Sequence, residues 1–417
     1  MRLPLSEALN KKANHLSYHT PAHNGGIVID TRLDVTELSY SDNLLQAEGV
    51  ILESMREVAK AYGVENVLYS TAGATTLIHT VIRALRQKGA FLIYGEAHKS
   101  VYDAFRINNI KGYLCRDLDL KQALLQTGAK VVVCTSPNYF GRVLNLNEIR
   151  SICDKMGAIL VVDASHGSHF AFSSLLPNSA TKYADIVIHS QHKTMQTLTG
   201  GASLCYTHEH KEALTRAFKE IHTTSPNYLI MSSIESATKL LVDSGERIYS
   251  DVIKEVELFS SKCVGQVFGV VPTDDKTRLV IKTPDNAHEV ADYLESANIY
   301  PEMVYGDKLV FIITPFNYIY LDTLYDALCG YNFKRNYQEK NVPVGNGLIE
   351  LQFGDEYEKV SLDDAVGRVS YGEVGLYPPG VPIVAPGERI TKEQVQFLKA
   401  NLNFTFGLEK SYALVLK

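Results

Sequence analysis

The sequence predicts an α/β protein in which a large domain with a mostly parallel sheet precedes a smaller C-terminal α/β domain. In the first half of the chain, short apolar segments alternate with segments that carry apolar residues at helical spacing. Aspartate, histidine, serine and lysine residues lie at or just after the ends of several of these apolar segments. Such alternation is typical of a parallel sheet covered by helices on both faces. We place the boundary near residue 260, with 1–260 in the large domain and 261–417 in the small one.

The elements of the large domain follow one another in a regular order. Residues 44–62 have helical spacing and lead to a glycine at position 63. An apolar run at 67–69 breaks at the small residues 71–73, and a helix with one apolar face follows. Such a turn can bind phosphate, because free N–H groups and the positive end of the helix dipole point to the same place. A plain helix cap is the alternative. Five further apolar runs are predicted strands: 90–96, 130–137, 158–164, 184–190 and 201–207.

The second half of the chain has a different pattern. A helix begins after a Ser-Pro pair near residue 224, and the runs QVFGVVP, RLVIKTP and LVFIITP then predict strands of a mixed or antiparallel sheet separated by helices such as NAHEVADYLESANI. The density of proline and glycine in YPPGVP (377–382) and APGE (385–388) predicts a rigid loop without regular structure.

Composition restricts the classes of function. The chain has 417 residues, 45% of them hydrophobic, and a net charge of −6, so no basic surface is expected and nucleic acid is not an expected partner. The six cysteines are scattered without a CxxC pair, which favours reduced core residues. The sequence shows no signal peptide and no run long enough to cross a membrane, so we expect a cytoplasmic protein.

Two strand ends carry the most informative residues. In ILVVDASHG, the predicted strand ends at Asp163, and His166 lies just beyond it. In ADIVIHSQHKT, the predicted strand leads into Ser190, His192 and Lys193. Open α/β sheets bind ligands at the carboxyl ends of their strands. Pyridoxal phosphate (PLP) needs a lysine amine to hold it and a carboxylate to keep its ring nitrogen protonated. Taken alone, Lys193 could be an ordinary surface lysine and Asp163 an ordinary turn former. The whole set of residues together predicts a PLP enzyme.

These residues lie in longer segments that resemble the Orn/Lys/Arg decarboxylase family of PLP-dependent fold type I enzymes, in the short form typical of Gram-positive bacteria. The matching segments run through nearly the whole chain in family order: YHTPAHNGG, DVTEL, EAHKSVYDA, TSPNYFG, VVDASHGSHFAF, ADIVIHSQHKTMQTLTGGASL, TTSPNYLIMSSIES and YPPGVPIVAPGE. The lysine segment and the YPPG loop are the most specific of them. The resemblance implies that the large domain binds PLP and carries an N-terminal arm, and that the small domain contains the YPPG loop.

The resemblance also implies roles for individual residues. Lys193 would form the Schiff base with PLP, Asp163 would pair with the pyridine nitrogen, and His98 would stack on the cofactor ring. The other residues that it places at the cofactor are Gly73, Ala74 and Thr75, whose backbone N–H groups face the phosphate, with Ser165, His166, Ser190 and His192. Thr224 and Ser225 match a segment that reaches the cofactor of the neighbouring subunit, which implies a homodimer with the site at its interface.

The chain departs from the family pattern at three places. Ala22 stands where the family has glycine, residues 71–75 replace a turn richer in hydroxyl groups, and Ser165 stands where the family has alanine. The altered turn is expected to weaken phosphate binding, since each neutral hydrogen bond contributes about 0.5 to 1.5 kcal/mol. Ser165 is expected to lie under the ring.

Two pairs of histidines could suggest a metal. His166 and His169 are close in sequence, but no third ligand appears at convincing spacing, so no metal is expected. His19 and His23 raise the same question, and the resemblance places them in the N-terminal arm near the dimer cleft. A nicotinamide cofactor is also disfavoured, because no GxGxxG motif follows a strand.

The expected function is decarboxylation of arginine, lysine or ornithine to an amine and carbon dioxide, with a place in polyamine biosynthesis. The same lysine and aspartate serve PLP-dependent aminotransferases and lyases, and a catalytically diverged binding protein is a third possibility. A cationic substrate would require a carboxylate in the distal pocket, for which Glu373, Glu388 and Asp34 are available.

Overall fold

The structure is a computed structural model, and it describes residues 16–18, 34–334, 342–377 and 380–417. His19, Ala22 and His23 of the N-terminal arm lie outside the described residues, as do the two prolines of the YPPG loop. Within the described ranges, no helix is both long enough and apolar enough to cross a membrane.

The described part of the chain contains helices and strands throughout. The helices are α1 (Val50–Tyr62), α2 (Gly73–Leu85), α3 (Lys99–Ile107), α4 (Leu120–Thr127), α5 (Leu146–Met156), α6 (Lys211–Ile221), α7 (Tyr228–Lys262), α8 (Ala287–Ser296), α9 (Leu321–Gly330) and α10 (Lys392–Ala400). The strands are β1 (Leu16–Tyr18), β2 (Asn66–Ser70), β3 (Phe91–Tyr94), β4 (Gly112–Cys115), β5 (Val131–Thr135), β6 (Ile159–Asp163), β7 (Ile186–His189), β8 (Ala202–Tyr206), β9 (Gly269–Val271), β10 (Arg278–Lys282), β11 (Ile299–Pro301), β12 (Met303–Tyr305), β13 (Lys308–Ile312), β14 (Leu348–Glu350), β15 (Tyr357–Ser361), β16 (Val374–Leu376), β17 (Val381–Val384), β18 (Thr405–Phe406) and β19 (Tyr412–Leu416).

Eight of the described strands form one large sheet in the order β14-β4-β3-β5-β6-β7-β8-β2. Strands β4, β3, β5, β6 and β7 are parallel, whereas β14, β8 and β2 pair antiparallel with their neighbours. The central strands are buried and rich in valine, leucine and isoleucine, as expected for a sheet covered on both faces. The predicted fold class is confirmed.

The residues after the large sheet build a smaller α/β part. Helix α7 is 35 residues long, and it packs on the core of the large sheet through Ile234 and on a second apolar cluster through Phe259. That second cluster lies against a four-stranded antiparallel sheet of the order β12-β13-β10-β9, which we call the small sheet. The domain boundary near residue 260 stays a prediction.

The C-terminal segment corrects one expectation. Strand β17 lies in the YPPGVP and APGE region, where we predicted no regular structure, and it pairs antiparallel with β16. Pro382 is compatible with a strand here because β17 is at the edge of the sheet β17-β16-β18, where a missing N–H breaks no ladder. The turn between these two strands contains Tyr377 and Gly380.

Candidate active site

A cavity of about 400 Å³ lies at the carboxyl ends of β3, β5, β6 and β7. Of the twelve predicted site residues, ten line it: Gly73, Ala74, Thr75, His98, Asp163, Ser165, His166, Ser190, His192 and Lys193. Local structure explains the convergence, because each of these residues either follows a strand of the large sheet or opens helix α2. The parallel arrangement brings those positions to one edge of the sheet.

Asp163 is the last residue of β6, and its side chain is only 4% exposed. Its Oδ1 accepts two hydrogen bonds from Ser165, one from Oγ at 2.6 Å and one from the backbone N–H at 3.1 Å. These bonds fix the carboxylate in one orientation at the cavity. Ser165 lines the same cavity, so its hydroxyl supports the acid directly, which the sequence did not indicate.

Lys193 ends a single 3₁₀ turn, Gln191–Lys193, that follows β7. Its Nζ lies 3.4 Å from Nε2 of His166 and 5.4 Å from the ring centroid of Tyr139. The amine therefore projects into the cavity between an imidazole and an aromatic ring.

His166 is buried between Tyr139 and Arg278. Its ring centroid is 4.3 Å from that of Tyr139, and its Nδ1 lies 3.0 Å from Nη2 of Arg278. Burial lowers the pKa of His166 well below its usual value, and nearby Lys193 and Arg278 add to the effect. The imidazole is therefore neutral near neutral pH.

His98 both caps helix α3 and lines the cavity. It is the N-cap of α3, where its Nδ1 accepts a hydrogen bond from the backbone N–H of Ser100 at 3.3 Å, and it also lines the cavity. Burial is the main cause that lowers the pKa of His98 to about 4, with Lys193 contributing. Because Nδ1 accepts, the single proton of this neutral ring is on Nε2.

The turn before α2 meets the phosphate expectation only in part. The N–H of Gly73 donates to the carbonyl of Gly200 at 2.9 Å, so it is already used within the protein. Ala74 and Thr75 follow in the first turn of α2, where backbone N–H groups have no partner inside the helix. Ser190 and His192 are 3.3 Å apart, from Oγ to Nδ1, and line the same cavity.

Thr224 and Ser225 do not line this cavity, and both side chains are exposed. They lie between α6 and α7, in the segment expected to reach a neighbouring subunit.

Several cavity residues were not found by sequence reasoning. Glu96, Asn138, Tyr139 and Glu302 line the cavity. Glu96 is the second residue after β3, so its position near a strand end was an available signal. Glu302 lies between the short strands β11 and β12, and no local sequence pattern indicates a functional role for it.

The carboxylates proposed from sequence for a cationic substrate lie elsewhere. Oε2 of Glu388 lies 3.1 Å from Nη1 of Arg116, and Oε2 of Glu373 lies 3.5 Å from Nη2 of Arg106. Asp34 is exposed. None of the three lines the cavity; Glu96 and Glu302 do.

His169, considered above as half of a metal pair, is buried behind the cavity wall. Its Nε2 lies 3.0 Å from Oγ1 of Thr277 and 3.5 Å from Oδ1 of Asp275. Among the described residues, no three His, Cys, Asp or Glu side chains are placed to hold a metal ion.

The chemistry of the cavity fits PLP. A lysine amine, a buried carboxylate and the first turn of a helix line one space, and these groups suit an aldehyde, a basic ring nitrogen and a phosphate respectively. The fold and this set of residues define the class as PLP-dependent enzymes of fold type I.

Comparison with known proteins identifies the family within that class. Residues 113–273 match the model of the Orn/Lys/Arg decarboxylase major domain, and residues 349–407 match that of the Orn/Lys/Arg decarboxylase C-terminal domain. The chain belongs to the Orn/Lys/Arg decarboxylase family. The predicted family is therefore confirmed, and so is the predicted class of enzyme, a PLP-dependent amino-acid decarboxylase.

Individual relatives agree with this assignment. The chain is 28% identical to the uncharacterized protein YaaO of Bacillus subtilis (strain 168), covering 95% of this chain and 94% of the relative. It is 26% identical to an arginine decarboxylase of the same organism, covering 96% and 94%. Lysine decarboxylase A from Pseudomonas aeruginosa shares the fold with a TM-score of 0.77 at 14% identity, over 92% of this chain and 74% of that one.

Proposed function

We propose that this protein decarboxylates a basic amino acid, arginine, lysine or ornithine, to the corresponding amine and carbon dioxide. The observation that carries the proposal is that Lys193 and Asp163 line the same cavity as two further carboxylates, Glu96 and Glu302. Such an amine would serve polyamine biosynthesis, and we propose the cytoplasm as the place of the reaction.

The residues around the cavity would hold PLP at three points. Lys193 would bind its aldehyde, Asp163 its ring nitrogen, and the first turn of α2 with Ser190 and His192 its phosphate. When bound, PLP supplies an electron sink that lets the bond between Cα and the carboxylate break. His98 would lie against the face of the ring.

The protein must also return a proton to Cα after carbon dioxide leaves. Lys193 and His98 both line the cavity and are two candidate donors. His98 has a pKa of about 4, so near neutral pH its ring is neutral and has no readily transferable proton. Lys193 is the better donor, and the nearby His166 can then hydrogen-bond to the amine that has lost its proton.

The two cavity glutamates support a cationic substrate. A guanidinium or ammonium group forms its strongest hydrogen bonds with carboxylates. Burial raises the pKa of Glu96, and a hydrogen bond with Asn138 opposes part of this rise. Pairing of Glu96 with a substrate cation would favour its ionised form and oppose the rise in its pKa. Tyr139 and Tyr377 add aromatic surface to the same cavity.

The test is a panel of amino acids assayed for carbon dioxide and amine with PLP supplied. We expect turnover with basic amino acids, and we expect Lys193→Ala to abolish both turnover and the visible absorbance of the bound cofactor. Lys182→Ala, at an exposed lysine, is the control and should keep both. An unchanged visible spectrum in Lys193→Ala would refute the assignment.

The same experiment separates the alternatives. Formation of a keto acid in place of carbon dioxide would indicate an aminotransferase. A colourless protein that does not bind added PLP would indicate a diverged binding protein.

We further propose a homodimer in which Thr224 and Ser225 contribute to the neighbouring site. The exposure of both residues in the single chain and their absence from its own cavity support this. A mixture of Lys193→Ala chains with Thr224→Ala/Ser225→Ala chains should form hybrid dimers with one intact site. Activity above that of either variant alone is expected; no gain in a mixture shown to contain hybrids would contradict the shared site.

A further inference from the structure

Arg278 lies behind the cavity wall, but its guanidinium contacts a residue of that wall. We propose that Arg278 is a positioning residue that fixes His166 in the tautomer with its proton on Nε2, directed at the amine of Lys193. This inference rests on the proposed role of Lys193 as the amine that holds the cofactor.

The hydrogen-bonding capacity of the three side chains leads to this tautomer. Arginine is always charged in proteins and has no acceptor, so Nη2 of Arg278 must donate to Nδ1 of His166 across their 3.0 Å contact. A neutral imidazole whose Nδ1 accepts carries its hydrogen on Nε2. That Nε2 lies 3.4 Å from Nζ of Lys193. A lysine nitrogen can accept a hydrogen bond from this Nε2–H only as an uncharged amine.

Arg278 is buried at the beginning of β10. Arg278 is 2% exposed, and its backbone N–H donates to the carbonyl of Asp275 at 3.0 Å. A Cβ atom on Gly141 would lie 2.8 Å from Cβ of Arg278, so the loop that carries Tyr139 packs directly on the stem of the arginine. Asp275 and Glu302 provide the negative charge that compensates the buried guanidinium.

In this tautomer His166 can hydrogen-bond to the reactive, uncharged form of Lys193. An uncharged amine attacks an aldehyde, and a C=N bond forms as the aldehyde oxygen leaves as water with the two hydrogens of the amine. Without Arg278, the proton of His166 can move to Nδ1, and Nε2 then accepts from the ammonium form of Lys193. Removal of a guanidinium outside the cavity should therefore slow attachment of PLP.

The first test needs only the unmodified full-length chain without PLP. Histidine ¹⁵N chemical shifts distinguish the two tautomers and the cationic ring, and His166→Asn identifies the His166 signals among those of the 13 histidines. We expect a neutral His166 with its proton on Nε2 from about pH 6 to about pH 8. A ring protonated on Nδ1, or a cationic ring, would overturn the proposal.

The second test compares Arg278→Met with Arg278→Lys in folded protein, as judged by circular dichroism. Arg278→Met should populate the Nδ1–H tautomer and slow the rise of cofactor absorbance after PLP is added by about threefold to tenfold, the range that one hydrogen bond gives. Arg278→Lys keeps a cationic donor and should retain the Nε2–H tautomer. An unchanged tautomer in Arg278→Met also overturns the proposal.

These outcomes are distinct from failure of the proposed function. If Lys193 does not hold PLP, absorbance will not depend on Lys193 at all, whereas the tautomer is measured in the absence of PLP.

Discussion

Ser165 shows how one hydroxyl group changes the surroundings of a strand-end acid. The resemblance placed it under the cofactor ring, where the family has alanine. In the structure its Oγ donates to Oδ1 of Asp163 at 2.6 Å, and the residue is buried. The departure from the family therefore adds a direct contact to the predicted partner of the ring nitrogen.

We predict that Ser165→Ala lowers the free energy of unfolding by about 1.5 to 3 kcal/mol, because a buried hydrogen bond to a carboxylate is lost. Urea unfolding of the PLP-free protein measures this. Ser179→Ala is the matched control, since Ser179 is also buried but hydrogen-bonds only to neutral groups of Thr181. Equal losses in the two variants would show that the carboxylate contact has no special strength.

Glu302→Gln should raise KM for basic amino acids at least about tenfold, equivalent to 1.4 kcal/mol, because an amide would replace the carboxylate that we propose to face the substrate cation. Steady-state kinetics with arginine, lysine and ornithine measure the change. Glu295→Gln, on the exposed face of α8, should leave KM unaltered. Unchanged KM in Glu302→Gln would place the substrate cation elsewhere.

Helix α3 and the turn that contains Gly380 form one unit at the cavity. The N–H of Lys99, the first residue of α3, donates to the carbonyl of Gly380 at 2.9 Å. Gly380 has a φ of +76°, and a Cβ atom there would lie 3.0 Å from Nε2 of His98. The cap of α3 and the turn therefore determine the position of His98 together.

Gly380→Ala should destabilise the protein and weaken PLP binding, because it adds both backbone strain and a clash with His98. Gly367→Ala is the control: its φ is +80° but a Cβ atom would meet nothing within 4 Å, so it should cost only the strain, about 1 kcal/mol. Unfolding free energies and PLP titrations test this. Equal cofactor affinity in the two variants would argue against contact between the turn and the site.

Glu373 links α3 to β16 through a carboxylate that titrates near neutrality. Its pKa is raised to about 7, chiefly by burial, with Asp103 adding to the rise and Arg106 opposing it. The folded state therefore holds a proton that the unfolded chain loses near its ordinary pKa of 4.5. The resulting stability is present below about pH 4.5 and is lost as the pH rises through about 7.

Glu373→Gln mimics the protonated side chain and should remove the loss of stability that accompanies the rise in pH. We expect the variant to match the parent near pH 5 and to exceed its free energy of unfolding at pH 8 by about 1 to 3 kcal/mol. Urea unfolding at the two pH values provides the measurement. A constant difference at both values would contradict titration of Glu373.

Buried neutral histidines give the whole molecule a shared sensitivity to acid. Burial lowers the pKa of His189 to about 3 and that of His98 to about 4, and it lowers that of His166 well below its usual value. Unfolding returns each to about 6.5, so the unfolded chain binds protons first as the pH falls. Stability present above about pH 6.5 is therefore lost toward pH 4.

His189→Asn, which cannot take up a proton, should reduce the acid dependence of the free energy of unfolding by up to about 1.4 kcal/mol per pH unit between pH 6.5 and 4. Unfolding at pH 7, 5.5 and 4.5 measures the slope, and His208→Asn at the surface is the control. An identical slope in His189→Asn and the parent would refute the role of His189.

The sequence by itself determined the large sheet and the residues at its strand ends. Asp163 and Ser190 come at the end of short apolar runs, and Lys193 lies one turn beyond Ser190. A parallel sheet brings such positions to one edge. The local pattern was less informative at β17, where proline suggested a loop and the position at a sheet edge permitted a strand.

Only the tertiary structure decided which side chains complete the cavity. Glu302 and Arg278 belong to the smaller part, and they reach the site because Tyr139 and Phe140 pack on the small sheet near Met303. Glu373 and Glu388 are equally plausible carboxylates in the sequence, but arginines hold them elsewhere. The physical reason is that strand ends are specified by local hydrophobic pattern, whereas contacts between separate parts of the chain depend on how their surfaces pack, which no local pattern encodes.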